Sequence, residues 1–286
     1  MIADWTILAF GNPVEHVIPH PLFSVGLFAF TNDMLMQLIV AAGMVVLFAW
    51  LGRNYPMCPT GVRMFFETGL QVVREGIARP TLKEHTDRYV PFVWTLFFFI
   101  LFNNLAGLVP WNQIAGLTAR QWHLFGSATS NLSVTAGLAG MVFVVTHASG
   151  IVQEVRHQRH RGHGAALAAV GGFVLYWYHI VPHVPGIMGT ILFPFLFVME
   201  VFGSLIKPFA LAMRLFANIM AGHILLASLL MLAPVLNGVL SAGLTITVIL
   251  GCTAASCLEL FVAFLQAYIF AFLSCLYIGM AVNPEH

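Results

Sequence analysis

The chain has 286 residues, of which 59% are hydrophobic and only 8% are charged, and its formal net charge is +1. Soluble domains carry about 25% charged residues, so this composition leaves too few polar groups to cover a water-facing surface. It predicts an integral membrane protein, and it excludes nucleic acid as a partner because the near-zero charge provides no attractive field for phosphate.

The N-terminal segment, residues 1–32, is predicted to lie outside the membrane. It lacks the basic start of a signal peptide, and Asn12 and Pro13 interrupt its apolar residues early. The apolar run 34–51 follows and is long enough to cross a hydrocarbon core of about 30 Å. Residues 60–90 mix apolar positions with regularly spaced charges, which predicts an amphipathic helix on the membrane surface.

Two further spans are predicted at residues 90–109 and 132–152, separated by a polar loop over 111–130. Residues 153–186 follow as a loop and interfacial insertion, which begins with charged, histidine-rich sequence. A solvated loop is favoured there over a metal site. The aromatic run 176–178 suits the headgroup region and favours an interfacial or re-entrant piece over a full span.

The C-terminal part, residues 187–282, is predicted to form a long helical hairpin. Its two apolar stretches, 187–232 and 239–281, are each about twice as long as an upright span requires, so each is a steeply tilted helix or breaks into two. A turn is expected at 234–238. The pattern predicts an all-α integral membrane protein with about five membrane helices, an amphipathic surface helix and two long, tilted, antiparallel helices.

The distribution of lysine and arginine predicts the orientation. Residues 52–90 and 153–163 hold nine of the twelve Lys and Arg residues, whereas the opposite side holds only Arg120. By the positive-inside rule these two segments lie in the cytoplasm (or matrix), which places the N-terminus outside and the C-terminus inside.

Ionisable residues inside the two long stretches mark the candidate site. A charge at bilayer depth costs about 2.5–3.5 kcal/mol and usually marks an ion path. Arg214 lies near the middle of its stretch with no acid within one turn, so its partner must come from elsewhere. Glu200 and Lys207 are seven residues apart on one helix face. Glu200 is either a partner charge or part of an aqueous path, and Lys207 is as well explained by a structural role.

Antiparallel pairing of the two helices brings Arg214 opposite Gln266 and His223 opposite Glu259. Arg214 and Asn218 form one polar face, at positions i and i+4, and His223 lies on another. Arginine stays protonated, whereas a histidine beside a carboxylate exchanges protons near neutral pH. A fixed cation beside a proton-passing pair suggests that protons are delivered to a mobile carboxylate on a partner, and that the cation blocks a leak.

Two segments of the long helices resemble the signature of subunit a of F-type ATP synthases. They are EVFGSLIKPFALAMRLFANIMAGHILL at 200–226 and ELFVAFLQAYIF at 259–270. FFFILFNNLAGLVP at 97–110 and VEHVIPH at 14–20 are similar to other parts of that family. The resemblance covers most of the chain except about 155–186.

The resemblance implies that Arg214 is the essential arginine that faces a rotor ring of c subunits. It also implies that Asn218 and Gln266 are the polar residues beside this arginine, and that Glu200 lies near the opposite half-channel. Lys207 is expected as a supporting residue.

The resemblance further implies that His223 and Glu259 form an acid–base pair. The acid and the histidine are exchanged between the two helices relative to some members of the family. Asn104, in the segment at 97–110, is expected as a second supporting residue.

The implied function is that of a proton-conducting stator subunit. Two offset aqueous half-channels would pass protons to and from the c-ring carboxylates, coupling proton flow to rotation and ATP synthesis. The chain itself would be non-catalytic, with no cofactor and no metal, and it contains no Gly-rich phosphate loop. The implied partners are the c ring, b-type peripheral-stalk subunits, the remaining F0F1 subunits and the lipid bilayer.

A bacterial inner membrane is favoured over a mitochondrial inner membrane, and the proton over Na⁺. Two other functions are alternatives to that of a stator. A secondary transporter with a charged site at the midplane would show internal repeats and broken helices. A non-conducting scaffold subunit would leave the buried Arg, Glu and His residues unexplained.

Overall fold

The computed structural model describes residues 21–25, 28–53, 61–109, 131–161, 164–181, 187–235 and 241–283. A short antiparallel hairpin, β1 (Pro21–Val25) and β2 (Phe28–Thr31), precedes the first helix, with Phe23 paired to Phe30. The rest of the described chain is almost entirely helical.

Eight α-helices follow the hairpin within the described residues. They are α1 (Asn32–Gly52), α2 (Val62–Gln71), α3 (Arg79–Leu82), α4 (Thr86–Leu108), α5 (Leu132–His160), α6 (Ala165–His179), α7 (Ile187–Val235) and α8 (Ser241–Val282). A π-helical segment, Val72–Ala78, joins α2 to α3, and a 3₁₀ turn, Lys83–His85, joins α3 to α4. Pro80 lacks the N–H that a regular helix requires, which fits the irregular hydrogen bonding on both sides of it.

Five helical stretches of the described chain are long and apolar enough to cross a membrane. They are Asn32–Gly52, Val62–Leu108, Leu132–His160, Ile191–Leu226 and Ile246–Val282. The prediction of an all-α membrane protein with about five membrane helices is therefore confirmed, and the β-hairpin is an addition to it. The surface position expected for residues 60–90 stays a prediction.

The two C-terminal helices are continuous rather than broken. α7 has 49 residues and α8 has 42, which at 1.5 Å per residue gives lengths of about 73 and 63 Å. Pro194 and Pro208 lie inside α7, and so does Pro234, which was expected in the turn. Neither helix fits upright within a hydrocarbon core of about 30 Å, so strong tilting is the remaining alternative.

The expected loop over residues 153–160 is wrong, because α5 continues to His160. Glu154 accepts a hydrogen bond from Gln158 one turn later, at 3.2 Å. Basic side chains in the last turn also interact favourably with the negative end of the helix dipole. α6 has 15 residues and is too short to span, in keeping with an interfacial or re-entrant piece. The polar loop at 111–130 and the N-terminal residues 1–20 lie outside the described residues.

The described residues form two compact units. The first draws on residues 1–59, 97–135 and 213–268. Aromatic side chains of α4 pack against the other helices of this unit. The ring centroids of Phe98 and Phe48 lie 5.1 Å apart, and those of Phe97 and Phe264 lie 6.0 Å apart.

The second unit draws on residues 60–96, 136–212 and 269–286. Its interior contains fully buried apolar side chains, which include Ile77, Val142, Phe270 and Ile278. Trp94 ties α4 to α2 by donating its indole N–H to the carbonyl of Leu70 at 2.9 Å.

Candidate functional site

The antiparallel register expected for α7 and α8 is present in the first unit. Asn218 of α7 donates its side-chain N–H to Oε1 of Gln266 in α8 at 2.9 Å. One turn further along α7, Gly222 faces the side chain of Glu259. The spacing placed Arg214 opposite Gln266, whereas in the structure Asn218, one turn later on α7, reaches Gln266.

Arg214 lies on the exposed side of this helix pair. The next residue, Leu215, is completely buried, so the two side chains point in different directions. Within the described part of the chain, Arg214 makes no ion pair with a carboxylate. A permanently charged guanidinium on a membrane helix requires a compensating group, and no carboxylate among the described residues supplies it.

Gln266 and Asn104 form the buried polar part of the site. Gln266 is only 2% exposed, and its amide oxygen accepts the bond from Asn218. Asn104 is also buried and donates to the carbonyl of Ala263, one turn before Gln266, at 3.2 Å. α4 is thereby joined to α8 beside the site, and the supporting role of Asn104 stays a prediction.

Glu259 is buried against the backbone of α7. Its carboxylate oxygens are withdrawn from solvent, and the missing side chain of Gly222 leaves the space that Glu259 occupies. The side chain of His223 lies outside the described residues, so its pairing with Glu259 stays a prediction.

Glu200 and Lys207 belong to a second polar cluster, in the second unit. Nζ of Lys207 lies 3.5 Å from Oε1 of Glu200, which confirms that the two residues share one helix face. The ammonium group also lies 6.0 Å from the ring centroid of Tyr277 in α8. Both charged groups therefore have a partner, whereas no carboxylate among the described residues pairs with Arg214.

A cavity of about 460 Å³ borders this second cluster. Its wall includes Glu200, Lys207, His147, Tyr176 and His179. The sequence did not predict the last three as site residues, because they lie on α5 and α6, far from the signature segments. The aromatic residues and histidine at the end of α6 are the signal that could have identified a polar contact there.

No group of three or more His, Cys, Asp or Glu side chains with the geometry of a metal site occurs in the described ranges. The histidines at 157 and 160 lie at the exposed end of α5.

Comparison with known proteins identifies the family of the chain. A family model described as ATP synthase A chain matches residues 34–279. The chain is 38% identical over 258 residues to ATP synthase subunit a of Myxococcus xanthus, covering 89% of this chain and 73% of the relative. It is 36% identical over 278 residues to ATP synthase subunit a of Chloroherpeton thalassium, covering 94% and 72%. A match of this length at this identity, on a chain with five membrane-capable helices, means that the chain belongs to the ATP synthase A chain family.

Proposed function

We propose that this chain is the proton-conducting stator subunit of an F-type ATP synthase and works only as part of that complex. The observation that carries the proposal is Arg214, an exposed cation on a membrane helix with no ion-paired carboxylate in the described part of the chain. A carboxylate on the c ring, presented in turn by each rotor subunit, would supply the missing charge.

The charge of Arg214 provides a physical basis for ordered transfer. At about 4 Å and an effective dielectric constant near 20, two opposite unit charges attract by about 4 kcal/mol. A rotor carboxylate that reaches Arg214 is therefore held in its ionised form and has to release its proton first. The guanidinium cannot deprotonate and repels a proton that approaches along the same path, so a direct leak is blocked.

Two half-channels then serve the two sides of the membrane. The polar residues of the α7–α8 pair, with Asn218, Gln266, Glu259 and the expected partner His223, form one of them. The cavity beside Glu200 forms the other. Protons would load onto the rotor from one path and leave by the other, and rotation would connect the two.

Localisation and partners follow from the same proposal. The chain would lie in a bacterial inner membrane with its N-terminus outside and its C-terminus in the cytoplasm. The c ring would contact the exposed side of the α7–α8 pair. Peripheral-stalk subunits would hold the chain against the remaining subunits, and ATP itself would be made elsewhere in the complex.

The test compares Arg214→Ala with wild type in inverted membrane vesicles that carry the assembled complex. Quenching of a pH-sensitive dye during ATP hydrolysis reports proton pumping. We expect Arg214→Ala to lose pumping while the complex still assembles, and Arg161→Ala, at the exposed end of α5, to retain it. Unchanged pumping in Arg214→Ala would overturn the proposal and favour the secondary transporter instead.

A further inference from the structure

His147 is held in one position by aromatic neighbours on two helices. Its Nδ1 lies 2.8 Å from the hydroxyl of Tyr176 on α6. Its ring stacks on Trp177 with a centroid distance of 5.5 Å and an angle of 17°. Phe143, one turn earlier on α5, contacts the ring edge-on at 4.2 Å. These contacts fix the ring plane, and the imidazole lines the cavity that Glu200 also borders.

The hydrogen bond between His147 and Tyr176 is compatible with both charge states of the imidazole. Burial raises the pKa of Tyr176 to about 12, so the phenol keeps its proton at neutral pH. The phenol oxygen accepts from Nδ1–H both in the neutral ring that carries its proton on Nδ1 and in the charged ring, which leaves Nε2 free to take up and release a proton. The ring can therefore gain and lose a proton without losing the bond that orients it.

α6 is docked on α5 through two glycines, which fixes the position of Tyr176. A Cβ at Gly150 would lie 3.0 Å from Cδ2 of Tyr176. A Cβ at Gly172 would lie 2.9 Å from the Cα of Val155. The two helices approach so closely that no larger residue fits at either point without displacement.

A second histidine connects the same two helices. Nδ1 of His179 lies 3.6 Å from Oε2 of Glu154, and the Glu154 side chain is only 12% exposed. His179 also lines the cavity. Titratable side chains from α5 and α6 therefore lie along a cavity whose other polar wall comes from α7.

We propose that His147, positioned by Tyr176, is a proton-transfer residue of the cavity that holds Glu200, and that α6 is the element that builds this part of the path. The proposal rests on the proposed function and adds to it a residue and an insertion that lie outside the signature segments. A proton taken up at Nε2 forms the imidazolium, and its release toward Glu200 restores the neutral ring. The charged or titratable groups that face His147 across the cavity are Lys83, Tyr176, His179, Glu200, Lys207 and Tyr277.

The location of this cavity makes the proposal accessible to experiment. Lys83 lies in the segment that the positive-inside rule places in the cytoplasm. In inverted vesicles this side faces the assay buffer, so the buffer pH sets the supply of protons to the cavity. ATP hydrolysis draws protons from this side, and uptake becomes limiting as the pH rises.

The experiment measures initial ATP-driven pumping by dye quenching between pH 6.5 and 8.5 for wild type, His147→Gln and Tyr176→Phe. His157→Gln, ten residues later on the same helix and exposed, is the matched control. We expect His147→Gln to pump within about twofold of wild type at the acid end and about tenfold more slowly at the alkaline end, because the titrating group is absent. Tyr176→Phe should show a smaller change in the same direction, and His157→Gln none.

Two results would overturn the proposal. A pH profile identical to wild type in both variants means that His147 passes no protons. A loss that is equal at every pH means that the ring has a packing role only. If the complex with His147→Gln fails to assemble, the pH profile of Tyr176→Phe tests the proposal instead, because this variant keeps the aromatic ring and removes only the hydroxyl. A profile identical to wild type would then overturn the proposal. The proposed function fails separately, through retained pumping in Arg214→Ala.

Discussion

Replacing Gly222 with alanine would place a methyl group against the buried side chain of Glu259. An ideal Cβ at position 222 would lie 2.8 Å from Cγ and 2.9 Å from Cδ of Glu259. Carbon atoms in contact ordinarily lie about 3.5–4.0 Å apart, so the glutamate has to move by about 0.7 Å or more. Glu259 is only 9% exposed, so the movement displaces it inside the helix pair rather than into solvent.

A displacement of this size should affect proton transfer more than folding. A misplacement of about 1 Å can cost about 100-fold in rate, so we expect pumping to fall by about 10- to 100-fold. Overpacking costs about 1–3 kcal/mol. Alanine in place of glycine stabilises a helix by about 1 kcal/mol and offsets part of that cost, so the complex should still assemble.

The assay is ATP-driven dye quenching in inverted vesicles, normalised to the amount of assembled complex. Gly203→Ala is the matched control, because it lies on the same helix and its added Cβ would meet no atom within 4 Å. Shortening the acid by one methylene, as Glu259→Asp in the Gly222→Ala background, should recover part of the loss. Wild-type pumping in Gly222→Ala alone would refute the idea that transfer depends on the position of this carboxylate.

Two further predictions concern stability. Asn218→Leu and Gln266→Leu each break the 2.9 Å hydrogen bond, and a double-mutant cycle on thermal stability should give a coupling of about 1 kcal/mol; additive effects would contradict a direct interaction. Gly279→Ala should lower the thermal stability of the complex by about 1–3 kcal/mol, because its Cβ would collide with the backbone carbonyl of Thr81. Gly137→Ala, where the added Cβ meets no atom, is the control, and equal stability of the two variants would count against this packing.

The register of the helix pair was predictable because it depends mainly on the lengths of the two apolar stretches and on the spacing of the polar residues within them. The lengths of the apolar stretches predicted both helices, and the spacing of their polar residues predicted an antiparallel alignment. The hydrogen bond between Asn218 and Gln266 fits that alignment, although Arg214 was the residue expected opposite Gln266. Arg214 could be identified for a related reason, since a cation inside an apolar stretch has few structural explanations. The register depends on helix periodicity, which can be read from the spacing of residues in the sequence.

The histidine cluster was not predictable in the same way. His147 and Tyr176 are 29 residues apart on different helices, and their contact depends on how α6 docks. That docking depends on close contacts at Gly150 and Gly172. The sequence shows a glycine in an apolar helix, but it does not show which residue of another helix packs against it. The prediction of a loop at the charged end of α5 is wrong because a high density of charge does not exclude a helix, and the hydrogen bond between Gln158 and Glu154 supports one.

Arg214 also has a consequence for how the complex is built. Before a rotor is present, its guanidinium would face hydrocarbon, and it would draw water and lipid headgroups inward and thin the bilayer locally. In the proposed complex, docking of the c ring would replace this membrane defect with an ion pair. Part of the affinity between stator and rotor should therefore come from repair of the bilayer, and it should be greater in thick membranes, where the defect costs more, than in thin ones.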